Sequence, residues 1–304
     1  MLSLDNPEDK NFNQLLGIKN GRVIVGYFGD GAKVRNNGYV LVPANHYSVE
    51  NFIFPNGKRA DQTQAIGINN QLTPSIVGFY TEDKNVHGFW DFQGKMLTVD
   101  DPLGVFKGPA RRSTSNQNLL SVNSSGEASG FWTDQTGNTH GFVVQNLGGV
   151  NQDFIEFGPD RFNGGKQTQV TGITERNGLC GFWIDSNGGT HGFTGFINNV
   201  VSVVSSFDVV IGGVLAKSTQ PLGCNSGGFV VGTYTDSVNA VHGFIYNAGS
   251  RTAVKFAAPG ESQKPAFGVQ GTIINGINDN GDIVGFFSDG TRVNGFVDFQ
   301  AQLP

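Results

Sequence analysis

Apolar residues in this chain come in short runs that hold a glycine and stop at polar turns. Val25-Gly26-Tyr27-Phe28, Val77-Gly78-Phe79-Tyr80, Ser129-Gly130-Phe131-Trp132, Cys180-Gly181-Phe182-Trp183, Val231-Gly232-Thr233-Tyr234 and Val284-Gly285-Phe286-Phe287 are six versions of one such run. Runs this short, bounded by Asn, Gly and Asp, predict strands. A second run precedes each and ends in Gly17-Ile18, Gly67-Ile68, Ser121-Val122, Gly172-Ile173, Gly223-Cys224 or Gly276-Ile277. The turns between the two, such as Lys19-Asn20-Gly21 and Asp279-Asn280-Gly281, hold residues that tolerate positive φ and so close a hairpin.

A third strand carries Asn37-Gly38-Tyr39, His87-Gly88-Phe89, His140-Gly141-Phe142, His191-Gly192-Phe193, His242-Gly243-Phe244 and Asn294-Gly295-Phe296, and its glycine returns every 50 to 53 residues. A fixed period of this size marks a repeat architecture. A fourth, apolar strand ends near proline, at Asn51–Pro55, Leu97–Pro102, Phe154–Pro159 and Val254–Pro259, and proline belongs on sheet edges. The last repeat lacks this strand, whereas Leu2-Ser3-Leu4-Asp5-Asn6-Pro7 matches it. The pattern predicts an all-β fold, a six-bladed β-propeller of four-stranded antiparallel blades. Residues 1–304 form one domain, and the N-terminal strand completes the last blade and closes the ring. A solenoid would show capping repeats and would not need this circular offset.

Composition fits short strands and tight turns, with 45 glycines, 25 phenylalanines and 15 per cent charged residues. The net charge of −5, with no basic run longer than Arg111-Arg112, argues against a nucleic-acid partner. No apolar run approaches the roughly 18 residues of a membrane helix, and no apolar stripe argues against a monomer. Few lysines, many Asn and Gly, and the sequon Asn123-Ser124-Ser125 point to secretion and glycosylation at Asn123. A cytosolic location is the alternative, because Met1 is followed by no basic or apolar leader. Cys180 and Cys224 are too few for a disulfide framework; two buried thiols and a single bridge both fit their apolar positions.

Four of the five histidines belong to the third strand and lie on different blades, so they cannot share a metal ion. No metal and no cofactor is expected. Asp134, Asp185 and Asp236 precede His140, His191 and His242 by six residues, which suits a hydrogen bond across one turn. The repeated aromatics Phe28, Tyr80, Trp132, Trp183, Tyr234 and Phe287 read as packing between blades. Gln14, Gln64, Asn118, Gln169 and Gln220 stand three residues before the Gly-Ile glycine, where the sixth repeat has Ile273. On innermost strands these amides either bridge neighbouring backbones or line a polar throat. The inner strands offer amides in place of the paired carboxylates of a glycosidase, and no nucleophile elbow or phosphate loop occurs. The connections between repeats differ most and should surround one mouth. They carry His46, Tyr47 and Arg59; Lys107, Arg111 and Arg112; Asp160, Arg161, Phe162 and Lys166; Lys217; and Glu261, Lys264 and Phe267.

The Gly-Ile-Asn-Asn, Ile-Val-Gly-Phe-Tyr and His-Gly-Phe segments between Gly67 and Phe89 resemble the HAF-type extracellular repeat of secreted microbial proteins. The resemblance covers all six repeats. In size and start the chain also resembles fungal propellers that act as hetero-Diels–Alderases in tropolone sesquiterpenoid biosynthesis. That resemblance implies a cofactor-free pericyclase joining a tropolone-derived quinone methide to a macrocyclic sesquiterpene such as humulene. Such a reaction needs positioning and hydrogen-bond donors on a carbonyl oxygen, with no nucleophile. Gln64, Gln169, Arg59 and Arg111 are the expected donors and Tyr47, Phe162 and Phe267 the expected walls. Gln14, Asn118 and Gln220 complete the expected binding surface for small apolar substrates. The alternatives are a secreted glycan-binding, lectin-like propeller with equivalent sites between blades, and a non-enzymatic interaction scaffold.

Overall fold

The computed structural model describes residues 1–42, 46–49, 60–107, 113–149, 152–198, 200–299 and 301–304. The chain is an all-β propeller whose repeats each lay strands side by side in sequence order. The first repeat comprises Asn13–Ile18, Ile24–Phe28, Asn37–Val42 and His46–Val49. The second comprises Gln62–Ile68, Ser75–Glu82, Asn85–Phe92 and Lys95–Thr98, and the third Gln117–Val122, Ala128–Thr133, Thr139–Gln145 and Asp153–Phe157. The fourth runs Gly165–Ile173, Gly178–Asp185, Thr190–Asn198 and Val200–Phe207, and the fifth Ser218–Cys224, Phe229–Thr235, Val241–Asn247 and Thr252–Phe256. These last two share one sheet through a single parallel pair, Thr190 with Ser218.

The final repeat supplies Thr272–Ile277, Ile283–Ser288 and Val293–Asp298, and its outer strand is Leu2–Ser3. Leu2 pairs with Val297 and Ser3 with Phe296. The Leu4 N–H then donates to the Gly295 carbonyl at 2.9 Å, and Asp5 Oδ1 accepts the Gly295 N–H at 3.0 Å.

Second-strand glycine and third-strand aromatic form one device. Gly181 pairs with Phe193, and a β-carbon on Gly181 would lie 2.7 Å from the Phe193 ring. The equivalent rings of Tyr39, Phe89, Phe142, Phe244 and Phe296 are fully buried, so the His-Gly-Phe phenylalanine is the core of each sheet. Burying a ring of this size stabilises the fold by roughly 2–3 kcal/mol. The Gly-Ile glycines serve the axis. A β-carbon on Gly17 would sit 2.4 Å from the Ile66 carbonyl, and one on Gly276 would sit 2.6 Å from the Leu16 carbonyl. Glycine therefore lets innermost strands touch, and the contacts return from the last repeat to the first.

The outer strand of the first repeat is His46–Val49, so His46 and Tyr47 lie on a strand and not in a mouth loop; the expected strand at 51–55 lies outside the described residues. The outer strand of the second repeat is Lys95–Thr98, ahead of the expected Leu97–Pro102, because Asp101 caps a short 3-10 turn at Pro102–Gly104 that ends strand pairing.

The histidines lock turns as expected. His140 Nε2 and His242 Nε2 each lie 3.1 Å from Asp134 and Asp236, and His191 Nε2 lies 3.5 Å from Asp185. His87 has no such aspartate and pairs instead with Asp100 at 2.6 Å. The rings of His140 and His191 stack on Trp132 and Trp183, with centroids 4.1 and 4.5 Å apart. The repeated aromatics Phe28, Tyr80, Trp132, Tyr234 and Phe287 are buried and Trp183 is half-buried.

Candidate functional site

Each innermost strand slips by one residue against its neighbour just before the Gly-Ile glycine or its counterpart, between Leu15 and Gly17 in the first repeat and at the matching place in every other. A β-bulge of this kind leaves one residue unpaired and re-aims it. The bulged residues are Leu16, Ile66, Leu120, Thr171, Leu222 and Asn275, and all six line one axial cavity of about 340 Å³. Sequence reading missed them, because a bulge leaves no mark in an apolar run apart from the glycine that follows.

Gln14, Gln64, Asn118 and Gln169 line the same cavity. Gln64 is tied down, its Nε2 donating to Asn36 Oδ1 at 2.8 Å. The side-chain amides of Gln14, Asn118 and Gln169 make no hydrogen bond to another described residue, although Gln14 and Asn118 are 9 per cent exposed. All four line the cavity, and among the described residues Gln64 alone is fixed there, by a neighbouring side chain and not by a backbone group. Beside them, Phe79 and Phe131 pair across the strands with Gln64 and Asn118, and both rings are half-buried in the cavity wall. The equivalent rings Tyr27 and Phe182 are buried in the core. The amide and phenyl surface is thus concentrated on the second and third repeats.

The opposite rim is built from the hairpin turns. Asn70, Glu175, Asn225, Asn278 and Asp279 line it. The inner strands bring amides to the cavity, and its carboxylates arrive on turns. Glu175 accepts the Ser124 N–H at 2.8 Å and the Ser124 hydroxyl at 3.0 Å, and Asp279 accepts the Ser226 N–H at 2.8 Å. Both are spent on holding neighbouring turns together, which leaves them as clasps.

The structure separates the other expected site residues. Gln220 is half-buried but does not line the cavity. Phe162 is 7 per cent exposed and stacks on Trp183 with centroids 4.9 Å apart, because the 3-10 turn Pro159–Arg161 folds it back into the core. It is no mouth wall. Phe267 is exposed and meets Phe12 edge-on at 5.9 Å, outside the cavity lining. Arg59, Arg111 and Arg112 lie outside the described residues, as do the side chains of His46, Tyr47 and Lys107. Asn123 is fully buried, its Nδ2 donating to Glu127 at 2.9 Å and to the Thr174 carbonyl at 3.3 Å. No glycan on that nitrogen fits this fold.

Cys180 and Cys224 are free thiols. A β-carbon on Gly172 would lie 2.6 Å from one sulfur and 2.9 Å from the other. Contact with Cys180, then burial, pushes the Cys224 thiol well above its usual range.

No protein-family model matches the chain, and no curated protein sequence matches it. Among solved structures it is similar to a fungal lectin, Aleuria aurantia lectin, described as a six-bladed β-propeller. The TM-score is 0.52 at 14% identity, covering 96% of this chain and 91% of the lectin. It is also similar to Trypanosoma rangeli sialidase, with a TM-score of 0.51 at 6% identity over 99% of this chain and 57% of that one. At these identities the likeness establishes the propeller fold.

Proposed function

We propose that this chain is a carbohydrate-binding propeller of six blades, one domain over residues 1–304, with one ligand position in the axial cavity. The carrying observation is that the amides of Gln14, Asn118 and Gln169, with no hydrogen-bond partner among the described residues, face one cavity beside the half-buried rings of Phe79 and Phe131. A sugar ring presents an apolar face of C–H groups and a rim of hydroxyls that both donate and accept. A side-chain amide answers in both senses, and a phenyl ring covers the apolar face. The cavity volume lies in the range of small-molecule sites.

The similar structures lend support to the class, since one is a lectin that recognises fucose and the other holds sialic acid. Six innermost strands packed in a closed circle support the blade count, the sheets of the fourth and fifth blades sharing a single strand pair, Thr190 with Ser218. The cycloaddition implied by the family resemblance calls on Gln64 and Gln169, which line the cavity, and on Arg59 and Arg111, which lie outside the described residues, and it draws nothing from the comparisons. Carbohydrate binding calls only on groups the cavity holds. Secretion and a monomeric state belong to the same proposal.

Titration calorimetry with fucose, sialic acid and a panel of neutral sugars tests it. One site per chain, weakened by Asn118→Leu, is the expected result. Several equal sites per chain would move the ligand to the blade boundaries, and no binding by any sugar would overturn the proposal.

A further inference from the structure

The fourth repeat departs from the others at two positions, and both fall at its boundary with the fifth. Four residues after the first residue of the His/Asn-Gly-aromatic motif, Leu41, Asp91, Val144 and Tyr246 bury a side chain and Asp298 half-buries one. The fourth repeat has Gly195 there. Nearby, Asn69, Asn123, Asn225 and Asn278 each donate a side-chain amide, and Lys19 its ammonium group, to a backbone carbonyl of the next repeat. The fourth repeat has Thr174 at that position, which cannot make the reach.

Where both are lost, a second cavity of about 360 Å³ opens between the fourth and fifth repeats. Leu179, Gly195 and Phe196 wall it on one side and Phe229 and Val230 on the other. Phe196 is 54 per cent exposed and presents its ring to this cavity. The lining contains one charged residue, Arg176, which is exposed and has no ion-pair partner among the described residues. Among the described residues no carboxylate lines the cavity. The adjacent Glu175 turns away to Ser124 and to the Asn70 N–H.

We propose that this cavity is a second binding site, for a medium-chain aliphatic carboxylate, with the chain between Leu179, Phe196, Phe229 and Val230 and the head group at Arg176. A cavity that discards packing in one repeat alone forfeits stability that the other repeats keep. A bound apolar chain restores those contacts. A lone guanidinium at the rim selects an anion over a neutral or cationic head group.

The test is calorimetric titration of the full chain with decanoate and with decanol, both below the concentration at which they associate. Decanoate should bind at one site per chain and at least tenfold more tightly than decanol. Arg176→Gln, an exposed change, should bring decanoate down to the affinity of decanol. Gly195 has an ordinary extended φ, so Gly195→Val restores the side chain that Val144 provides without backbone strain. That variant should keep or raise the melting temperature and lose decanoate binding. Equal affinity for decanoate and decanol, undiminished binding in a folded Gly195→Val variant, or no decanoate binding at all would each overturn the proposal.

Discussion

The side-chain amide of Asn225 donates a 2.9 Å hydrogen bond to the backbone carbonyl of Asn278 in the neighbouring repeat. The same side chain closes its own hairpin, since its oxygen accepts from the Gly227 and Phe229 N–H groups at 3.0 and 3.1 Å. One buried residue therefore holds a turn and joins two sheets. Asn225→Ala should lower stability by about 1–3 kcal/mol, the usual cost of leaving buried backbone groups unpaired. Asn225→Asp keeps the acceptor and loses the donor, so chemical denaturation should place it between the wild type and the alanine variant.

Asn118 and Phe131 should control sugar affinity. Asn118→Leu removes hydrogen bonds of about 0.5–1.5 kcal/mol each, a roughly threefold to tenfold loss in affinity. Phe131→Ala removes the apolar face and should cost at least as much. Gln220→Ala, outside the cavity lining, should bind as the wild type does. Calorimetry with all three variants separates cavity residues from the rest of the amide series.

A pH dependence is built into the third repeat. Glu156 accepts the Trp132 indole N–H at 3.1 Å and faces Asp101, which is 1 per cent exposed with one oxygen lacking a donor among the described residues. His140 stacks on that indole, and Arg161 donates to the Glu156 carbonyl at 3.2 Å. Burial first, and the Asp101 carboxyl second, push Glu156 from 4.5 up to about 8. The folded chain thus holds a proton that the unfolded chain releases. The associated stability is complete below about pH 4.5 and is lost as pH rises through about 8. Melting curves between pH 5 and 9 should show a decline that Glu156→Gln makes shallower. An identical slope in the variant would remove Glu156 as its source.

His191 is scaffold. Its ring stacks on Trp183, and Nδ1 and Nε2 meet Asp208 at 3.0 Å and Asp185 at 3.5 Å. His191→Ala should cost roughly 1 kcal/mol of stability and leave sugar affinity in the axial cavity unchanged. A loss of affinity larger than the loss of stability explains would return the histidine to the binding site.

Register was legible in the chain because it depends on short-range chemistry. Gly181 and Phe193 are constrained by steric contact across one strand pair, so each recurrence repeats the same two residue types. The Asp134 and His140 turn was readable for the same reason. The axial wall was not. Whether Leu16 points at the axis or into a sheet depends on the bulge beside it, and an apolar residue satisfies both environments. Glu175 was missed because its partners Asn70 and Ser124 belong to other repeats, at separations of 105 and 51 residues. Phe162 was misplaced because a loop aromatic looks alike in sequence whether it faces solvent or folds back on Trp183.

The pairing of Leu2 and Ser3 with Val297 and Phe296 sets a timetable for biosynthesis. Val297 is synthesised 295 residues after Leu2. At about 5–20 residues per second, the interval is on the order of fifteen to sixty seconds. Through that time the leading segment has no native complement, and a nascent chain stalled before Val293 never acquires one. Unfinished products therefore expose a sheet edge that the finished molecule covers.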